Sequence, residues 1–185
     1  MITSKYDWQI ATNFSDESFI KKAKKLGLEA SVANLVYQRG IQTEEALRDF
    51  LEPSLDQLHD PYELHDMDKA VTRIRQAIEN YEQILIYGDY DADGMTSASI
   101  VKEALEQLGA ECQVYLPNRF TDGYGPNASV YKYFIENQGI SLIVTVDNGV
   151  AGHEAIELAQ SMGVDVIVTD HHSMPEDRKS TRLNS

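Results

Sequence analysis

Ile84-Leu85-Ile86-Tyr87-Gly88-Asp89-Tyr90-Asp91-Ala92-Asp93-Gly94 is a short apolar run that empties into an acidic loop and then into a helical pattern. Two later apolar runs end the same way. Leu142-Ile143-Val144-Thr145-Val146 stops at Asp147-Asn148-Gly149, and Val164-Asp165-Val166-Ile167-Val168-Thr169 stops at Asp170-His171-His172. Helical stripes separate them: Ala98, Val101, Leu105 and Leu108 before Gly109, then about Ala128 to Asn137, then Ala155 to Met162, with Val114 and Leu116 marking a further strand. Strand and helix alternating at this spacing predict an α/β fold, a parallel sheet with right-handed crossovers and flanking helices. Ligands of such sheets bind beyond the carboxyl ends of the strands, where all three acidic motifs fall.

Upstream of Ile84 the pattern is helical. Ser15 can cap a helix with Phe19, Ala23 and Leu26 on one face, and Ser31 can cap another that groups Val32, Leu35 and Val36 before Gly40. Thr43 opens a third, with Leu47, Phe50 and Leu51 apolar, which must stop before Pro53. Residues 53–61 read as a connector, and Met67, Val71, Ile74 and Ile78 follow helical spacing into the first strand. The expected organisation is a helical region over 1–80, an α/β domain over 81–175, and a distinct tail over 176–185.

A chain of 185 residues, 42% hydrophobic, can bury one full core and a small accessory layer. No apolar run approaches the roughly 20 residues that span a bilayer, and Met1-Ile2-Thr3-Ser4-Lys5-Tyr6-Asp7 has no apolar core of a signal peptide. Cys112 is the only cysteine, which excludes an internal disulfide and any Cys-x-x-Cys site. These features fit a cytoplasmic protein with no membrane partner. Sixteen basic against thirty acidic residues give a formal charge of −14, the reverse of a duplex-binding module. Divalent cations at the acidic cluster, with a basic groove elsewhere, reconcile that charge with nucleic acid.

Each motif also has an ordinary reading. Asp89-x-Asp91-x-Asp93-Gly94 opens like an EF-hand loop, but the twelfth position is Ile100 where a bidentate Glu is required, and a strand precedes it where an EF-hand has a helix. Asp147-Asn148-Gly149 alone suits a hairpin, or a helix N-cap at Asp147; the Ala- and Glu-rich stretch after it makes it a strand-to-helix turn with a free carboxylate. Adjacent imidazoles beside Asp170 suit two jobs, a metal ligand and a donor to a phosphate oxygen. Pro117-Asn118-Arg119-Phe120-Thr121-Asp122-Gly123-Tyr124-Gly125 is either a surface loop or a substrate loop, with Arg119 on a phosphate and Phe120 or Tyr124 stacking a base. Lys21, Lys22, Lys24 and Lys25 point around several sides of one helix and read as a solvated surface.

Taken together, Tyr87-Gly88-Asp89-Tyr90-Asp91-Ala92-Asp93-Gly94, Val146-Asp147-Asn148-Gly149 and Thr169-Asp170-His171-His172 resemble the DHH phosphoesterase superfamily, and within it the RecJ-type single-stranded-DNA exonucleases. The resemblance runs from about Ser31 to Pro175. It implies hydrolysis of phosphodiesters with two divalent cations, Mn2+ or Mg2+, held by Asp91, Asp93, Asp147 and His171, with Asp147 as the bridge. Asp89 is then an additional ligand or a local hydrogen-bond acceptor, Asp170 orients the site, and His172 contacts phosphate. The implied substrate is single-stranded DNA, degraded from its 5′ end during recombination and repair. Small-nucleotide phosphodiesterases of the superfamily are the alternative, and so is a scaffold that has lost its chemistry, although the visible ligands are intact. Pyrophosphatases place a His four residues before the first ligand Asp, where this chain has Tyr87. The resemblance further implies a fourth acidic motif and a second domain after the His-His motif, whereas Arg178-Lys179-Ser180-Thr181-Arg182-Leu183-Asn184-Ser185 departs from the pattern. The expectation is an incomplete metal site with little nuclease activity, and poor solubility from exposed strand edges.

Overall fold

The computed structural model describes residues 16–173. Two compact units are present, divided at Asp60/Pro61. In the first, three short helices, α1 (Glu17–Lys25), α2 (Ala30–Gln38) and α3 (Glu44–Leu51), enclose a small core of Phe19, Ala23, Ala33, Val36 and Leu47. Ser15 lies outside the described residues. The cap of α1 is Asp16, whose carboxylate accepts from the Phe19 N–H at 2.7 Å. Ser31 is not a cap: α2 begins at Ala30, after Glu29, so Ser31 already lies within its first turn. The α2 stripe also shifts, since Ala33 and Val36 are buried while Val32 and Leu35 are exposed. Thr43 caps α3 through Ala46 N–H at 3.1 Å, and the helix ends before Pro53; Leu47 is buried but Phe50 faces solvent. The lysines of α1 are all exposed.

The second unit holds α4 (Met67–Glu79), β1 (Gln83–Tyr87), α5 (Ala92–Gln107), β2 (Glu111–Tyr115), α6 (Ala128–Gln138), β3 (Ile140–Val146), α7 (His153–Ser161) and β4 (Asp165–Thr169). All strand pairs are parallel, in the order β2-β1-β3-β4. Alternation along each strand splits the core in two. Ile84, Ile86, Leu142, Val144 and Val146 meet Ala77 of α4 and Ala98 and Leu105 of α5 on one face. Leu85, Tyr87, Ile143 and Val166 meet Tyr131 of α6 and Ala155 and Ala159 of α7 on the other. The domain boundary expected near residue 80 therefore moves upstream, because α4 packs on the sheet. Arg73 of α4 adds ion pairs to Asp165 at 2.5 Å and Glu82 at 2.6 Å, where the strands begin. Leu108, expected on the buried stripe of α5, is instead the exposed residue that caps its C-terminus.

This order has a consequence for ligands. From β1 the chain moves outward to β2, and from β3 it moves the opposite way to β4, with α5 and α7 on opposite faces. The ends of β1 and β3 thus border a topological switch point, the crevice where open α/β sheets bind ligands. Among the described residues no helix is long and apolar enough to cross a membrane.

Candidate metal centre

At the end of β1 the chain turns sharply into α5, and two glycines make the turn possible. A Cβ on Gly94 would lie 2.5 Å from Asp89 N and 2.6 Å from its Cα, and one on Gly88 would meet the Leu116 side chain at 2.6 Å. The first turn of α5 therefore lies directly against Asp89. Asp89 is buried, its Oδ1 accepting from Tyr90 N–H at 2.7 Å. Asp91 is the N-cap of α5, accepting from Gly94 N–H at 3.0 Å. Ile100, the residue that breaks the EF-hand pattern, sits inside α5.

At the end of β3, Asp147 adopts left-handed backbone geometry, φ 61°, and its N–H is tied to Thr169 O of β4 at 2.9 Å. It is not the cap of α7, a position taken by Gly152. The buried Asn148 amide donates to Val146 O at 2.9 Å and to Tyr87 O at 3.3 Å, so a single side chain joins the last carbonyls of β3 and β1. Thr145 hydroxyl closes the turn onto Asn148 O at 2.7 Å. At the end of β4, Asp170 accepts from Val150 N–H at 2.9 Å and from His172 N–H at 3.0 Å.

These three ends converge. One ligand atom from each of Asp89, Asp91 and Asp147 lies within 4.8 Å of the others, and the same holds for Asp147, His171 and His172. Asp147 is common to both sets. Its Oδ1 lies 2.8 Å from His171 Nε2, whereas its Oδ2 is buried with no hydrogen-bond partner. A buried, unpaired carboxylate oxygen is costly unless a cation completes it, so the donors fit a divalent metal ion. The electrostatics agree: burial, followed by the nearby charges of Asp91 and Asp147, raises the Asp89 carboxyl above the usual carboxylate range. Asp93 enters neither set; it is exposed in the first turn of α5. The two-residue repeat Asp-Tyr-Asp-Ala-Asp predicts Asp91 and Asp93 as ligands with Asp89 as an additional one; in the structure Asp89 is the residue that stands beside Asp91 and Asp147.

His172 Nδ1 lies 2.8 Å from Asp170 Oδ1, and the Tyr124 hydroxyl lies 3.4 Å from either ring nitrogen. The hydrogen bond to Asp170 raises the His172 pKa. Burial opposes ionisation of Asp170, but the backbone N–H groups of His172 and Val150 outweigh it and hold that carboxyl low. A cleft of about 370 Å3 opens beside this pair, lined also by Tyr124, Pro126 and Gly149 to Gly152. Of the three expected substrate residues, Tyr124 stands next to His172 with ring centroids 5.9 Å apart. The Arg119 guanidinium lies over the Tyr90 ring at 5.8 Å, and Phe120 projects into solvent, 94% exposed. Tyr90, packed on both Arg119 and Tyr124, escaped the sequence reading; its place between two ligand-type aspartates was the available signal.

Carboxylates and imidazoles crowded at the switch point of a parallel sheet are the donor chemistry of a divalent-cation site in an α/β protein. The chain belongs to the DHH family: residues 83–184 match the family's N-terminal domain. That interval takes in most of the segment expected to depart from the pattern. The chain is 42% identical over 173 residues to the single-stranded-DNA-specific exonuclease RecJ of Bacillus subtilis, covering 93% of this chain and 22% of that protein. It is 40% identical over 144 residues to the protein of the same name from Escherichia coli, covering 77% and 24%. It thus spans less than a quarter of the length of these curated relatives. Among solved structures it resembles exonuclease RecJ bound to manganese, with a TM-score of 0.56 and 33% identity over 61% of this chain and 29% of that one. RecJ from Thermus thermophilus in complex with Mn2+ aligns with a TM-score of 0.60 and 25% identity over 88% and 22%.

Proposed function

We propose that the chain carries the metal-binding half-site of a metal-dependent exonuclease that degrades single-stranded DNA from its 5′ end, in recombination and repair in the cytoplasm. The observation that carries this reading is Asp147. Its carboxylate belongs to two donor sets at once, and its Oδ2 is buried without a partner. Asp89 and Asp91 would hold one divalent cation with Asp147, and His171 would hold the other with Asp147; Asp93 is assigned to the site by the family motif alone. Manganese or magnesium ions, when bound, neutralise phosphate oxygens and make water acidic enough to act as a nucleophile.

The remaining roles belong to the chain's own groups. Asp170, held by two backbone N–H groups, orients the His172 ring through Nδ1, which leaves Nε2, beside the Tyr124 hydroxyl at 3.4 Å, to donate to a phosphate oxygen. Arg119 offers a guanidinium to the phosphate backbone, and Tyr124 and Phe120 offer rings to unstacked bases. This division also answers the charge objection, since a chain at −14 meets polyanionic DNA through cations bound at its acidic cluster. The test is manganese binding to this chain, and, in a full-length version, manganese-dependent release of mononucleotides from a long single strand compared with hydrolysis of a dinucleotide. A preference for the long strand that Asp147→Ala abolishes is expected. Equal or better hydrolysis of the dinucleotide moves the reading to a small-nucleotide phosphodiesterase, and turnover that survives Asp147→Ala rejects the site.

A further inference from the structure

Tyr87 and Tyr115 are directly paired across β1 and β2, at the last residue of each strand, with ring centroids 5.5 Å apart. Both rings belong to the core: Tyr87 is fully buried, edge-on to Tyr131, and Tyr115 packs edge-on to Phe134. Phenylalanine would fill that space equally well. What the phenols add is two hydroxyls, and both are spent on the loop between β2 and α6. Tyr87 hydroxyl donates to Gly125 O at 3.0 Å, and Tyr115 hydroxyl donates to Asp122 Oδ2 at 2.7 Å. The same Asp122 oxygen accepts from Asn118 N–H at 2.7 Å, and Asn127 donates from its amide to Asp122 O at 3.1 Å.

The anchored residues bracket Tyr124. Gly123 and Gly125 flank it with φ of 81° and 78°, a conformation in which glycine loses little on reorientation, so the tip of this loop has hinges on both sides. Asn118 and Asn127 help hold Asp122 on the near side, but the Tyr87 hydroxyl on Gly125 O and the Tyr115 hydroxyl on Asp122 are the bonds that tie both sides of the tip to the sheet. With them in place, Tyr124 is held edge-on to Tyr90, centroids 6.5 Å apart, and against His172 at the metal centre. Burial, and then the hydrogen bond to Asp122 and its charge, push the Tyr115 hydroxyl up to about 12, so it stays a donor across the whole working range.

We propose that Tyr87 and Tyr115 are positioning residues for nucleic acid: their hydroxyls preset Tyr124 as a stacking surface for an unpaired base whose phosphate lies at the metal centre. The inference rests on the function proposed above. It assigns Tyr87 a purpose that an imidazole at this position would not serve, because the phenol reaches the loop and ties substrate surface and metal-bearing strand together. A preformed surface avoids the entropy of ordering a loop on binding, and the variants should therefore lose affinity for the strand while keeping affinity for the metal.

The test is a thermodynamic cycle in this chain. Tyr87→Phe/Tyr115→Phe, Tyr124→Ala and the triple variant are titrated with a fluorescent phosphorothioate oligothymidylate, which resists cleavage, with manganese present. The double Phe variant is expected to bind about tenfold more weakly, at the lower end of what one stacked base contributes, with manganese affinity by calorimetry unchanged and faster hydrogen exchange over residues 118–126. In the Tyr124→Ala background the two Phe substitutions are expected to cost nothing further. Additive losses, or oligothymidylate binding by the double variant equal to that of the wild type, overturn the inference while leaving the nuclease reading intact. Absence of oligothymidylate binding by the wild type itself overturns both.

Discussion

Asp147→Asn should make the metal-free protein more stable and the metal-loaded protein less so. In the absence of metal, Asp147 Oδ2 is a buried acceptor with no partner, and Asp89 and Asp91 carboxylates share its surroundings. A buried polar atom left unpaired costs about 1–3 kcal/mol. The asparagine is nearly isosteric. It can keep an oxygen toward His171 Nε2 and turn its NH2 toward the Asp89 carboxylate, converting a repulsion into a hydrogen bond. It also suits the backbone, since asparagine tolerates the left-handed φ of 61° at this position. The new amide is imperfectly paired, so a net gain of about 1 kcal/mol is expected, equivalent to a rise of about 2–4 °C for a chain of this size.

Metal reverses the order. A ligand that binds only the native state at a hundredfold excess over its Kd stabilises by about 2.7 kcal/mol. Wild type gains that with manganese, and Asp147→Asn, with the shared carboxylate gone, gains nothing. Urea unfolding in chelator and then in manganese measures both differences on the same samples. The reasoning fails if the variant unfolds at lower urea than wild type in chelator, because the orphaned oxygen would then carry no cost. It fails equally if manganese stabilises both proteins alike.

Gly94→Ala should cost about 1–3 kcal/mol and the manganese response together, since its Cβ would meet Asp89 backbone atoms at 2.5–2.6 Å; calorimetry on the folded variant checks it, and normal manganese binding would refute it. Arg73→Met should cost about 2 kcal/mol, between the limits for exposed and buried ion pairs, with the manganese response retained. The Arg73 hydrogen bond holds the Glu82 carboxyl below its ordinary value, so its contribution is complete above the unfolded value of about 4.3 and is lost as pH falls through the folded one. The acid limb of a stability-versus-pH curve should accordingly be shallower in Arg73→Met than in wild type. Tyr81→Gly should stabilise by about 1 kcal/mol in thermal or urea unfolding, because Tyr81 is exposed and sits at φ 56°, a conformation unfavourable to a side chain.

Strand ends were the most legible part of this molecule, for a physical reason. A buried parallel strand must be apolar throughout and must stop where the chain meets solvent, so a carboxylate at the stop is visible as a break in the run, as at Asp89, Asp147 and Asp170. Helix faces on the first unit were less legible: Val32, Leu35 and Phe50 are apolar yet exposed, because three short helices enclose only a few side chains and cannot cover every apolar residue. Caps failed for a different reason, as Ser31 has the right chemistry but lies after the first residue of its helix. Which of Asp89 and Asp93 stands beside Asp147 was illegible because it depends on where α5 begins. With Asp91 as the N-cap, Asp89 remains on the strand side facing Asp147, while Asp93 is carried onto the exposed first turn.

The same geometry explains why so short a segment can bring two donor sets together. Asp89 and Asp91 leave β1, and His171 and His172 leave β4, two strands away; the two donor sets have only Asp147 in common. β3 lies between them in the sheet, and the left-handed turn at Asp147 stands its carboxylate in the crevice between the two groups. Asn148 then fixes the distance, because its amide bridges the final carbonyls of β1 and β3. Moving β3 to an edge of the sheet would leave every motif intact in the sequence and no carboxylate able to serve both sets. The strand order β2-β1-β3-β4 is therefore as much a part of the metal centre as the side chains that line it.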